Sequence, residues 1–329
     1  MKFGAVSLDQ AVGAVLAHSL AVEGSRIRKG RVLGPDDITA LEKAGYDDII
    51  VARLEPGDLA EDAAAAALAD ALVRDPALAG LRLSKPHAGR VNIYSDVVGC
   101  VALDVEKVHA INGVDTSITL ATVAPFARMA PSGMVATVKI ISYGVERSGL
   151  DQAAALASGA IAMRPVVFQT ASLIVTKSSP DSEEIGHRAI VKRLSSLLMQ
   201  CDVRYVLHEQ SAITQAISNA SGDVILILTA SATSDEKDVA PQAVREAGGH
   251  ITRFGIPVDP GNLLFLGQLG ARPVIGLPGC ARSPALNGAD WILERVVCGV
   301  PPGPADMAAM GVGGLLKESP ARGMPREPK

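Results

Sequence analysis

Aromatic residues are nearly missing. One Trp, four Tyr and five Phe make up 3% of 329 residues, so any core must be built from Ala, Val, Leu and Ile. Cysteine is scarce too. Cys100, Cys201, Cys280 and Cys298 stand at spacings that fit neither a zinc site nor a redox pair. Reduced thiols in a cytoplasmic protein are therefore the expectation. No uncharged apolar run reaches the ~18 residues of a membrane span. Lys2 followed by Asp9, with no apolar run behind them, gives no secretory leader. No membrane role is expected. Charge of one sign is not in excess either: the formal net charge is −4, which argues against a general nucleic-acid binder. The patterns G-x-x-x-x-G-K, G-x-G-x-x-G, G-x-S-x-G and H-E-x-x-H do not occur. Their absence removes the usual signatures of P-loop hydrolysis, dinucleotide binding, serine hydrolysis and zinc proteolysis. The six histidines are scattered and read first as structural.

What is present is an ordinary globular balance, 48% apolar and 20% charged. At about 150 residues per domain the length suggests two domains. Residues 1–163 read as a mixed α+β region. Ala11 to Leu20 reads as a short helix or a helix–strand junction. Pro35, Asp36 and Asp37 ahead of Ile38, Leu41 and Ala44 have helical spacing, with acidic residues at the positive end and Gly45 as the cap. Asp48 to Ala52 reads as a strand, and Ala63 to Val73 as an alanine-rich helix. Val97 to Val105 and Val135 to Ile141 are rich in β-branched residues and read as strands. Leu150 to Ser158 reads as a helix. The basic run Arg26, Arg28, Lys29 and Arg31 reads as a solvated face.

From 164 to 300 strands and helices alternate. Strands are expected at Val166 to Thr176, Val203 to Leu207, Asp223 to Thr229, Ile251 to Phe254 and Pro273 to Leu277. Helices are expected at Glu184 to Met199, Ala212 to Asn219, Val239 to Ala247 and Ser283 to Val297. Ser283 would cap the last of these, with Pro284 at its first position. The pattern is that of an α/β domain with a doubly wound, mostly parallel sheet. Residues 301–329, rich in Pro, Gly and charge, are expected to be disordered.

In such sheets ligands bind beyond the carboxyl ends of the strands. Two segments fall there. The first runs from Ala230 through Ser231, Ala232, Thr233 and Ser234 to Asp238. Its small residues let a ligand approach the backbone, and its hydroxyls suit an anion or a heterocycle. Asp238 either holds a metal ion or ring nitrogen, or caps the next helix. The second is Gly276-Leu277-Pro278-Gly279-Cys280-Ala281-Arg282-Ser283-Pro284. A helix N-terminus there, with Arg282 beside it, suits a phosphate; a plain turn with a solvent-facing arginine is the alternative. Cys280 reads more readily as an inert loop cysteine than as a thiolate activated by Arg282. Upstream, the rigid turn Pro257-Val258-Asp259-Pro260-Gly261-Asn262 is placed to line the same pocket.

The segment from Gly255 through Asp259-Pro260-Gly261-Asn262 to Gly276-Leu277-Pro278-Gly279 resembles the molybdopterin-binding domain. That domain is shared by molybdopterin adenylyltransferases and molybdopterin molybdenumtransferases. The resemblance spans Val166 to Gly299, and the opening from Ala5 to Ala17 resembles the start of the molybdenumtransferase family. It implies a molybdenum cofactor biosynthesis protein that takes molybdopterin as ligand or substrate. Pro260, Gly261, Pro278, Gly279 and the 230–234 loop would line the site, and Arg282 and Ser283 would hold its phosphate. Asp238 would be the catalytic and magnesium-binding residue, with ATP as co-substrate. A homo-oligomer is implied, and a nucleotidyltransferase or a molybdoenzyme as partner.

The departures are specific. Where the family has G-G-T-G, four residues and Asp, this chain has Ala230-Ser231-Ala232-Thr233 and then Asp238. Where the family has paired acids after the preceding strand, this chain has His208-Glu209, and magnesium prefers oxygen to imidazole. Cys280-Ala281-Arg282 replaces Asn-Pro-Val. Three readings follow: an enzyme that adenylylates molybdopterin or inserts molybdate; a non-catalytic binder or carrier of the pterin; or an assembly module with an unused pocket. The substitutions support binding better than catalysis.

Overall fold

A computed structural model describes residues 1–182 and 186–316. The chain divides into two units, one of residues 1–97 and 101–163, the other of residues 98–100 and 164–329.

In the first unit, Ala64, Ala65, Leu68, Ala69 and Leu72 fall on one face of the helix Glu61–Leu72, and all are buried. The alanines let this helix lie close on an antiparallel sheet of Ile118–Thr122, Met134–Ile140, Arg90–Ser95 and Leu81–Leu83, in that order. Helices Val105–Asn112 and Arg147–Ala157 complete this core, which contains not one buried aromatic side chain. Residues 1–53 form a separate cluster. Lys2–Ser7, Asp48–Arg53 and Val15–Leu16 make a three-stranded sheet whose inner side holds Leu8, Leu16, Leu33, Leu41 and Val51. Helix Pro35–Lys43 begins as its sequence predicts, with Asp37 accepting the Gly34 N–H at 3.0 Å. Ala11 to Leu20 is not a helix. A single 3-10 turn, Leu8–Gln10, leads into Val15–Leu16, because Gly13 at φ +78° turns the chain back against Leu33.

The second unit carries the larger sheet. Its strands are β1 (Thr170–Lys177), β2 (Gln200–Leu207), β3 (Val224–Leu228), β4 (His250–Phe254), β5 (Phe265–Leu269) and β6 (Arg272–Leu277). They lie in the order β2-β1-β3-β6-β5-β4. Neighbours from β2 to β6 are parallel, whereas β5 runs antiparallel to both β6 and β4. The helices are α1 (His187–Ser196), α2 (Gln210–Ser218), α3 (Val239–Glu246), α4 (Gly288–Val297) and α5 (Pro304–Ala309).

All five residues of β3, Val-Ile-Leu-Ile-Leu, are buried, as a strand covered on both faces requires. Val224, Leu226 and Leu228 join one cluster with Ile190 and Leu194 of α1 and Ile292 and Leu293 of α4. Ile225 and Ile227 join another with Ile213 of α2 and Ala243 and Val244 of α3. The helices thus cover the sheet from two sides.

Three sequence expectations need correction. Phe265–Leu269 is a further strand, beyond those the sequence pattern predicts. Its place follows from Gly276, directly opposite Phe265, where a Cβ would lie 1.9 Å from the ring. The last long helix does not start at Ser283. Gly279–Arg282 is a 3-10 turn, and α4 starts at Gly288 behind Asn287. There Asn287 and Asp290 form a reciprocal capping box, which Ser283 cannot form with Leu286 three positions on. Residues from 301 are not disordered throughout. Met307 of α5 is fully buried, Arg295 donates to Asp306, and Leu316 N–H donates to Asp259 C=O at 2.9 Å. The remainder of that expected tail, 317–329, lies outside the described residues, as does the start of the helix expected from Glu184.

Candidate functional site

The carboxyl ends of β1, β2, β3 and β6 lie side by side. The helix after β1 packs on one face of the sheet and the helix after β3 on the other. The connections therefore diverge between β1 and β3, and the crevice this leaves is where an open α/β sheet receives ligands.

Four residues meet at that crevice. Thr176, the penultimate residue of β1, is fully buried. Its Oγ1 accepts the backbone N–H of Ala230 at 2.7 Å and lies 3.0 Å from Nδ1 of His208. Nε2 of His208 lies 3.2 Å from Oγ of Ser231. The parallel register brings them together, since β1 pairs with β2 on one side and β3 on the other. Composition alone gave no sign that His208 would join this group. The signal available was its position, one residue past a parallel strand.

The loop after β6 reaches the same place. Arg282 donates from Nη2 to the carbonyl of Thr229 at 2.8 Å, so its cation sits beside the start of the 230–234 loop. Arg193 of α1 fixes this second loop. Its guanidinium donates to the carbonyls of Ala281 at 2.8 Å, Ser283 at 2.7 Å and Ala285 at 2.9 Å, and pairs with Asp290 of α4. Sequence reasoning missed Arg193, because nothing in α1 announces that a basic helix residue will satisfy a loop 88 to 92 positions away.

The expected site residues separate into groups. Ser231, Ala232 and Ser234 are exposed at the crevice and Ala230 is half-buried. Thr233 is buried, its hydroxyl 3.4 Å from that of Thr229, and it packs beneath the loop. Asp238 is the N-cap of α3: one oxygen accepts Val239 N–H at 2.7 Å, the other Ser234 N–H at 3.1 Å. Pro278 is buried and Gly279 exposed, with open space where its Cβ would be. Ser283 is exposed, but no helix begins there.

Pro260 and Gly261 meet the start of α4 instead. The Pro260 carbonyl accepts Gly288 N–H at 2.8 Å, and a Cβ on Gly261 would lie 2.3 Å from that same nitrogen. The outer side of this turn is taken by residues 311–316. Asp259 N–H donates to Gly314 C=O at 2.8 Å, and a cleft of about 290 Å³ remains between Pro257, Asn262, Gly311 and Leu315.

The donors at the crevice suit an anion. The exposed Ser231 hydroxyl and the Arg282 cation suit a phosphate. They do not fit magnesium. Among the described residues no three His, Cys, Asp or Glu side chains converge, and both oxygens of Asp238 already accept backbone N–H groups. A larger cleft, about 350 Å³, opens at the opposite edge of the sheet, by Thr170, Gln200, Cys201, Asp202 and Ser221. It has no cation in its lining, and burial pushes the Cys201 thiol up to about 11, so it suits neither a phosphate nor thiolate chemistry.

Residues 5–53 match a family model described as a domain of unknown function, DUF8806. No curated protein matches the chain. Among solved structures the chain is similar to the molybdopterin biosynthesis MoeA protein of Pyrococcus horikosii, at 13% identity over 91% of this chain and 74% of that one, with a TM-score of 0.31. The relationship is distant at most. The protein is of the mixed α/β class, and no described helix is long and apolar enough to cross a membrane.

Proposed function

We propose that the second unit binds molybdopterin at the carboxyl edge of β1, β3 and β6, within molybdenum cofactor biosynthesis. Its two faces would form a doubly wound sheet in the sense of that domain family. The observation that carries the reading is the Arg282–Thr229 link. It ties the loop that follows the Gly276–Gly279 segment, which resembles the molybdopterin-binding domain, to the small-residue loop at the crevice. In this reading the pterin lies over Ala230, Ser231 and Ala232. Its phosphate faces Ser231, Ser234 and Arg282.

The arrangement favours a binder or carrier over an adenylylating or molybdate-inserting enzyme. Asp238, the expected catalytic carboxylate, is engaged in capping α3, and the loop has lost both glycines that bring a backbone close to a ligand. A nucleotidyltransferase or a molybdoenzyme would then act on, or receive, the bound pterin, and a homo-oligomer is part of the same proposal.

The test is a titration with molybdopterin, with and without magnesium and ATP, with bound and free pterin analysed by mass. Binding without conversion is the expected result. An adenylylated or metallated pterin would return the protein to the enzymes, and no binding at saturating pterin would overturn the reading.

A further inference from the structure

The hydrogens of the Thr176–His208–Ser231 group can be assigned one after another. Thr176 Oγ1 accepts from Ala230 N–H, so a lone pair is committed there. Its own hydrogen is fully buried, and the acceptor that the described residues offer it is Nδ1 of His208, at 3.0 Å. A neutral imidazole that accepts at Nδ1 carries its proton on Nε2. Nε2–H then donates to Ser231 Oγ at 3.2 Å, which leaves the hydroxyl hydrogen of the exposed Ser231 available to a ligand. Each link polarises the next in the same direction, which strengthens the terminal donor.

We infer that Ser231, backed by the Thr176–His208 relay, is an outward-facing hydrogen-bond donor for a phosphate oxygen and needs no metal ion. The polarity is opposite to that of a serine nucleophile. There, Nε2 must accept the serine proton and Nδ1 must donate to a carboxylate. Here a threonine that is itself a donor stands in the carboxylate's place, so His208 is a relay and not a base. Arg282, tied to Thr229 next to the loop, adds the positive charge a phosphate monoester needs. The inference rests on the proposed use of this crevice and names the contact its ligand makes.

The experiment uses the full chain with ¹⁵N-labelled histidine. Long-range nitrogen–proton correlation should find the His208 proton on Nε2. Titration with inorganic phosphate should shift the His208 signals saturably. Ser231→Ala should weaken phosphate binding roughly tenfold. Thr176→Val should do the same, whereas Thr176→Ser, which keeps the hydroxyl, should restore it. A proton on Nδ1, covalent labelling of Ser231 by a fluorophosphonate, or no saturable shift would overturn the inference. Displacement of phosphate by molybdopterin would place the pterin's phosphate on this donor. Pterin binding that neither displaces phosphate nor responds to Ser231→Ala would overturn the relay and keep the proposed function. Phosphate binding without pterin binding would do the reverse.

Discussion

Two Pro-Gly pairs look alike in the sequence and behave differently in the fold. Pro260-Gly261 is a packing device. Gly261 is at φ +128° with its Cα against the backbone of Gly288, so any side chain there would collide with the start of α4. Pro278-Gly279 is a loop device, with Pro278 buried as β6 ends and open space where a Cβ on Gly279 would lie. Two similar dipeptides therefore do different work. One pair sets the start of α4, and the other leaves open space just past the end of β6.

The contrast is sharpest under alanine. Gly261→Ala should cost about 4 kcal/mol or prevent folding, because both φ and the approach to Gly288 forbid a Cβ. Gly279→Ala should stay within about 0.5 kcal/mol in urea unfolding. Equal losses would erase the distinction. The Gly279 change should nonetheless weaken pterin binding, which separates a binding role from a structural one.

Next in size is Arg193→Ala. It removes the donors for three loop carbonyls and leaves Asp290 without its buried cation. A loss of about 3 kcal/mol is expected. Arg193→Lys should recover only part of it, since an ammonium cannot span Ala281, Ala285 and Asp290 together. Full recovery would show that charge alone matters, and not the planar fork.

Asp238 separates a cap from a catalyst. Asp238→Ala should cost about 1 kcal/mol, and Asp238→Asn less, because its single amide oxygen still accepts one of the Val239 and Ser234 N–H groups while the NH2 loses the other. If pterin conversion exists and Asp238→Asn abolishes it at unchanged stability, the carboxylate does more than cap α3.

The smallest effect lies at the opposite edge of the sheet. Asp223 accepts the N–H groups of Gln169 and Thr170 and the Thr170 hydroxyl, each at 2.9 Å. These bonds hold its carboxyl below the ordinary aspartate range. A lowered native pKa stabilises the fold above the unfolded-state value of about 3.9, and the gain is lost as pH falls through the native pKa. Stability should therefore fall on the acid side below about pH 4, and Asp223→Asn should flatten that limb of the curve. An unchanged limb would show that other carboxylates govern it.

Much of the architecture was legible in the sequence where periodicity is strong. The Val-Ile-Leu-Ile-Leu run of β3, the alanine face of Glu61–Leu72 and the Pro35 helix start are local patterns with local causes. Of the two readings of Ala11 to Leu20, the short helix fails because Gly13 and its bond to Leu33 override a weak helical spacing. The start of α4 was misread because Ser283-Pro284 imitates a cap that Asn287 and Asp290 actually supply. Thr233 looked like a ligand contact by residue type, yet it points inward.

By itself the sequence determined most of the element types, the core composition and the loops at the carboxyl ends of the strands. All of these depend on residues within a few positions of one another. Only the tertiary structure decided what those loops do. Strand order put Thr176, His208 and Ser231 into one hydrogen-bonded line across 55 positions of chain, and it gave Asp238 to a helix end and Gly261 to a helix contact. The reason is directional. A hydrogen bond or a missing Cβ acquires its role from the partner that packing brings to it, and that partner is distant in sequence.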